Sequence, residues 1–239
     1  MNGLPVKSIT RMYILDPHRR LWNDNHQKLT RLLAQGDRNA ALELFLDQHA
    51  MVHSAKALRS KLWSLEDEIL TDMTAPEIRQ LPAGGEHSIA WILFHLTRIE
   101  DITMNMLIAA TEQIFTCEDW AKRLNVTIFH SANKMEVAGI AELSSGIDIK
   151  ALRLYRTAVA CRTREIVKGL AADDFKRKVE PGRLERVIRE GAVSPEAMEI
   201  VDYWSKKTIA GLLLMPPTRH CILHWNEATR IKEKIRKAK

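Results

Sequence analysis

The segment "PPTRHCILHWNEA", Pro216 to Ala228, places His220 and His224 four residues apart, just after a double proline. At 3.6 residues per turn, positions four apart share a helical face. That face continues through Ala228, Ile231 and Ile235, while Asn226, Arg230, Glu233 and Arg236 fall on the opposite side. Both imidazoles are therefore expected to point into a helical core, where each needs a polar partner. A divalent metal ion would serve both at once, and H-x-x-x-H on a helix is an arrangement that zinc sites use. Hydrogen-bonded core histidines are the competing explanation. Cys221 stands where H-E-x-x-H would carry its glutamate, so this is not the zinc protease motif. The prolines put His220 in or near the first turn of its predicted helix. There the helix dipole disfavours imidazolium by up to ~1 kcal/mol when exposed, and neutral imidazole is the form that binds metal.

Metal sites usually draw three protein ligands. "SIAWILFHLTRIED" offers His95, on a stripe with Trp91, Ile99, Ile102 and Met106. A site between helices would then combine His95 with His220 and His224, leaving the remaining positions open to water or substrate. A rival pair stands in "DQHAMVHSA": His49 and His53, again four apart, on the stripe of Leu42, Phe45 and Leu46. Spacing alone does not rank one pair above the other. Arg98, one turn beyond His95, is a candidate for holding an anionic substrate, against a simple salt bridge to Glu100, Asp101 or a neighbouring helix. Glu227, near His224, is a candidate for orienting a ligand or taking a proton, against a surface carboxylate. Tyr155, Tyr203 and Trp204 are inward candidates, and aromatic residues at helical spacing are more often core than cavity lining. Cys221 lies about 100° round the helix from His220 and reads as a packed thiol.

The elements that must position these residues are helical nearly throughout; strand-type alternation and Asn-Gly or Asp-Gly hairpin turns are missing. Helices are expected over 16–35, ended by "QGDRN", and over 40–69, where the apolar face rotates and a kink is anticipated. "TDMTAPEIRQLPAGGEHS" reads as loops around a short helix. Ser88 is placed to cap a helix over 89–110 whose first turns are apolar all round, as the middle of a bundle requires. Short helices follow near "CEDWAKRL" and "KMEVAGIAEL", then one capped by Asp148 and running to about Leu170. "PGRLERVIREGAVSP" connects to a helix over 195–214. Pro216-Pro217 is expected to break it before the last helix starts at Thr218. No internal repeat or low-complexity linker appears, so a single domain over 1–239 is expected.

The chain is long enough for a sizeable core. No apolar run approaches membrane-spanning length, and the first twenty residues lack the apolar core and cleavage site of a secretory signal. Cys117, Cys161 and Cys221 are scattered and odd in number, which suggests reduced thiols and a cytoplasmic protein. The net charge of +6 includes a basic last turn, "RIKEKIRKAK"; it would suit an anionic small substrate, but a solvated basic helix end is the simpler reading and ranks first. Basic stretches with interleaved stacking residues are missing, so no nucleic-acid partner is expected. G-x-S-x-G, P-loop and dinucleotide motifs are also missing.

"HSIAWILFHLTRIED", followed much later by "MPPTRHCILHWNEATRIKEKI", resembles the DinB/YfiT-like superfamily of metal-dependent enzymes. The resemblance implies an all-α, DinB-like four-helix bundle, often dimeric, with one ligand histidine on the second core helix and an H-x-x-x-H pair on a late helix. Carried over, these are His95 and His220 with His224; the family pattern does not assign His49 and His53, which rank second. Residues 1–39 become an N-terminal helical extension, and 111–148 exceed the smaller members of the family. The implied cofactor is a divalent metal, zinc by default for three imidazoles, with nickel or iron as alternatives. Relatives that are thiol-dependent transferases or isomerases make S-transfer from a low-molecular-weight thiol to a small molecule the leading expectation. A metal-dependent hydrolase, and a non-enzymatic, stress-related helical binding protein with a structural metal, are the alternatives.

Overall fold

The computed structural model describes residues 16–238. Most of the N-terminal stretch read above as lacking a secretory signal lies outside them. The described residues are all-α, without a strand; the only β-type pairing among them is an isolated bridge between Lys178 and Thr208. None of their helices is long and apolar enough to cross a membrane.

The first helix, α1 (Pro17–Gln35), starts where sequence chemistry puts it. Asp16 caps it by accepting the backbone N–H of His18 at 2.8 Å, Pro17 occupies the first turn, and Gly36 ends it at φ +75°. It packs on α2 (Arg38–Ala50). The long helix expected over 40–69 does not continue. It stops at Ala50 and resumes as Ala55–Leu58 and then α3 (Leu65–Leu70). Ser54 and Ser64 each cap a new start, and Arg59 adopts φ +52° between them. Serine side chains that satisfy free N–H groups compete with helix continuation, and here they win.

Ser88 caps α4 (Ile89–Asp101), its Oγ accepting the Trp91 N–H at 3.0 Å. Every residue of α4 is buried, as the middle of a bundle demands. The helix widens into a π-helical stretch, Ile102–Ala109. The segment 111–148 carries short helices at Ile114–Cys117, Trp120–Leu124 and Val137–Gly146. Asp148 then caps α5 (Ile149–Gly169), the main packing partner of α4. After α6 (Pro181–Arg189) and α7 (Met198–Ser205), the helix expected over 195–214 is interrupted at Lys206 and restarts at Ile209–Leu213. The double proline does not break the chain's helical course. Met215–His220 forms a π-helical stretch that leads directly into α8 (Cys221–Lys237). Proline lacks an N–H, and a widened turn tolerates that loss. Thr218 Oγ donates to the Leu213 carbonyl at 2.9 Å, five residues back, helping to hold the wide turn.

Two apolar clusters fill the interior, and α4 belongs to both. Ile89–Phe94 and Leu96 join the first, with Trp22, Leu152 and Trp225; Ile99, Ile102 and Met104–Ile108 include members of the second, with Phe45, Val167 and Leu212. Around their junction α4 buries His95, Arg98, Glu100 and Asp101. The fold therefore spends its most enclosed helix on a polar layer between two apolar ones.

Candidate metal centre

The π-helical turn and α8 carry His220 and His224 onto the face of α4 that holds His95. His95 is 2% exposed and the other two are half-buried. The ring centroids lie 4.9 Å (His95 to His220), 5.0 Å (His95 to His224) and 4.7 Å (His220 to His224) apart, with planes steeply inclined. One ring nitrogen from each falls within 4.8 Å of the others.

Hydrogen bonding fixes how two of the rings present themselves. His95 Nδ1–H donates to the Ser131 carbonyl at 2.7 Å, so a neutral His95 turns its Nε2 lone pair towards the cluster. His224 Nδ1–H donates to Glu227 Oε2 at 2.9 Å, and the other oxygen of Glu227 accepts His87 Nδ1–H at 2.6 Å. A ring anchored through Nδ1 by a carbonyl or carboxylate is how proteins orient metal-binding histidines. His95 Nε2 lies 3.2 Å from His220 Nε2. Two nitrogens each about 2.0–2.1 Å from one ion and ~90–110° apart would be separated by about 2.8–3.4 Å, so this pair fits a shared ion. His220 Nδ1 is buried without a hydrogen-bond partner.

Aromatic packing sets the remaining orientation. Trp91 stacks between His87, at 3.8 Å, and His95, at 4.8 Å, and presents its edge to His224 at 5.9 Å. Burial, reinforced by repulsion from His224, pushes His95 down to about 3. Burial and the two neighbouring histidines push His220 well below its ordinary value. Both are thus held in the neutral, ligating form. Burial, not the helix dipole expected from the prolines, is responsible for His220, because the chain stays helical before it. Burial raises Glu227, but the hydrogen bonds from His224 and His87 prevail and hold it at about 2.

A small cavity of about 140 Å³ borders the cluster, lined by Ile99, Asn133, Ile200, Tyr203, Trp204, Met215, Pro216 and His220. Tyr203 is thus a lining residue and Trp204 a buried one. Tyr155 is fully buried and donates to Asp101 at 2.6 Å. Cys221 is buried, its thiol pushed up to about 12 by desolvation.

Arg98 does not face this cavity. It is fully buried and tied to Asp101, Tyr155, Gln113 and the Phe129 carbonyl. Two residues beyond that carbonyl, Ser131 holds His95. Arg98 therefore braces the loop that orients the histidine, and the anion-holding role considered for it has no geometric support. Glu227, read from sequence as a ligand orienter or a surface carboxylate, is half-buried and accepts hydrogen bonds from His224 and His87. Sequence reasoning missed His87, although positions 87, 91 and 95 repeat every four residues, because His87 precedes the cap of α4 and so lies outside the helical periodicity. The carbonyl of Ser131 left no signal at all, since any residue supplies one.

His49 and His53 do not join this cluster. They converge on Glu100, which α4 presents in the interior, with Nε2 to carboxylate distances of 2.9 and 3.0 Å. Burial pushes both histidines down, His53 to about 3. Burial raises the Glu100 carboxyl, but the two histidines facing it prevail and hold it well below the usual carboxylate range.

An all-helical chain with a three-histidine cluster between its core helices is the class of protein that fold and site define. The model of the DinB superfamily matches residues 60–228, and the chain belongs to that superfamily. No curated protein gives a match.

Proposed function

We propose that this protein is a metal-dependent enzyme whose ion is held by His95, His220 and His224, and that it transfers a low-molecular-weight thiol to a small electrophile. The observation that carries the reading is the cluster itself. Three imidazoles converge, two of them are anchored through Nδ1, and a cavity reaches His220. A bound divalent ion, zinc by default for three imidazoles, would supply Lewis acidity that lowers the pKa of a thiol or water. The residues do the rest. Ser131 and Glu227 fix the tautomers, Trp91 holds two rings in register, and the apolar cavity wall, with Asn133 and Tyr203 as its polar points, receives a small substrate.

In the transfer, a carbon–sulfur bond forms as the bond from carbon to its leaving group breaks, and the thiol proton is lost to solvent. The test is a panel of cellular thiols with a chlorinated nitrobenzene or monobromobimane, comparing metal-loaded wild type with His95→Ala. Turnover with one thiol, abolished by the substitution, supports transfer. Hydrolysis of activated esters without any thiol would replace it with the hydrolase reading. Metal bound at one equivalent with neither activity would leave a structural ion, the reading that the cavity beside His220 disfavours.

A further inference from the structure

The second histidine pair has no task in the activity just proposed, yet it is the more enclosed of the two. His49 and Glu100 are 0% exposed and His53 is 2% exposed. His49 Nε2–H donates to Glu100 Oε1 at 2.9 Å, and Thr163 Oγ donates to the same oxygen at 2.7 Å. His53 Nε2 pairs with the other oxygen, Glu100 Oε2, at 3.0 Å. The Nδ1 atoms of His53 and His49 are left without a partner. A polar atom sealed from water and unpaired carries its full desolvation penalty. A carboxylate and two imidazole nitrogens that converge within 4.8 Å of one another in a sealed interior are placed as ligands of one ion are placed.

The charged surroundings allow a cation. Arg156 lies close by, but it is committed to Glu66 at 2.6 Å and to the Val52 carbonyl at 2.9 Å. Arg164 donates to the Leu46 carbonyl. With Arg156 paired to Glu66, Glu100 is the carboxylate that faces the two histidines.

We propose that His49, His53 and Glu100 form a second metal site, selective for a divalent transition ion such as zinc or iron(II). Two imidazoles and one carboxylate are the donor set that these ions accept. Thr163 would hold the carboxylate in place, as outer partners of metal ligands do. Neither Nδ1 has an acceptor here, whereas His95 and His224 have theirs. Missing outer partners typically cost 10–100-fold in affinity, so this site binds more weakly than the three-histidine cluster by about that factor. Its burial makes loading slow.

The experiment unfolds the full-length protein in chelator, refolds it, and titrates it with cobalt(II), reading ligand-field absorption and bound metal per chain. Wild type is expected to take two equivalents, the second about 10–100-fold weaker. H220A/H224A protein is expected to keep one, which E100Q or H53Q then removes while helical circular dichroism persists. Cobalt uptake that survives both E100Q and H53Q overturns the proposal, as does folded H220A/H224A protein that takes up none. Two substitutions are used so that a failure of one to fold leaves the other to decide; where neither folds, uptake by H220A/H224A protein decides alone. Because H220A/H224A and E100Q remove different sites, failure here leaves the three-histidine reading standing, and the reverse also holds.

Discussion

His220 and His224 lie on one continuous helical run, with the carboxylate of Glu227 anchoring one ring and a cavity beside the other. His49 and His53 have the same four-residue spacing, but α2 ends between them at Ala50, and the rings meet across a turn at 4.1 Å between centroids. The first pair meets a third histidine from α4, the second a glutamate from the same helix, five residues further on. The two sites thus share a helix and a spacing but differ in access and in outer support. The difference teaches that a ligand pattern specifies neither burial nor anchoring. A site with both anchors and a cavity is suited to turnover, and a sealed site without them is suited to holding.

Substitutions that break this contrast should act most strongly on metal content. His224→Ala is expected to lower bound metal at the three-histidine cluster from about one per chain to below about a tenth, since catalytic ions are usually held by three protein ligands. Elemental analysis after dialysis, in an E100Q background so that the second proposed site does not contribute, checks this, with circular dichroism confirming that helical content survives. Full retention would show that His224 is not a ligand.

Next in size is the charged pair beside the sealed site. Arg156→Ala leaves Glu66 buried without its partner, and should cost about 3–5 kcal/mol of stability. A urea melt would read it. A shift of less than about 1 kcal/mol, the range of exposed pairs, would mean that water reaches Glu66 and that this interior is less enclosed than described.

Glu227→Gln sharpens the comparison from the other side. It keeps the shape but weakens the hold on His224 Nδ1, and should reduce metal affinity by about 10–100-fold, as loss of an outer partner does. A competition titration against a chromophoric chelator measures it, and unchanged affinity would remove Glu227 from the site's support.

The pH dependence of the metal-free chain follows from the buried histidines. His95 falls from 6.5 to about 3 on folding, so below pH 6.5 the unfolded chain binds a proton that the folded chain refuses. Stability is then fully present above 6.5 and declines as pH falls towards about 3, at up to ~1.4 kcal/mol per pH unit for each such histidine. His53 and His220 shift in the same direction and add to the slope. Urea midpoints between pH 7 and 5 test it; a flat profile would mean that these rings are hydrated in the folded state.

The smallest effect concerns thiols. Cys221 is buried with its thiol pushed up to about 12, whereas Cys117 and Cys161 are exposed. Iodoacetamide should label the two exposed thiols of the native protein and spare Cys221, as mass spectrometry of the peptides would show. Rapid labelling of Cys221 would mean that the interior between the two metal candidates opens readily.

Much of this architecture follows from local chemistry. Ser88 and Asp148 announce the helix starts that the structure shows, because a side chain that satisfies free N–H groups acts within three residues of itself. The apolar surroundings of α4, and the inward stripe that carries His95, are legible for the same reason: helical periodicity is a property of the segment alone. What lay beyond the segment was not legible. The double proline would end an isolated helix, and only the widened turn packed against α4 carries the chain through it. Arg98 was open to several roles until Asp101, Tyr155, Gln113 and the Phe129 carbonyl closed around it. Glu100 gave no sign of facing two histidines some fifty residues earlier, since nothing in a sequence encodes which distant side chains a buried carboxylate will meet. Sequence determined which residues were capable of binding metal. Tertiary packing alone decided which of them meet, which are anchored, and which are reached by a cavity, because these are relations between helices and not properties of any one of them.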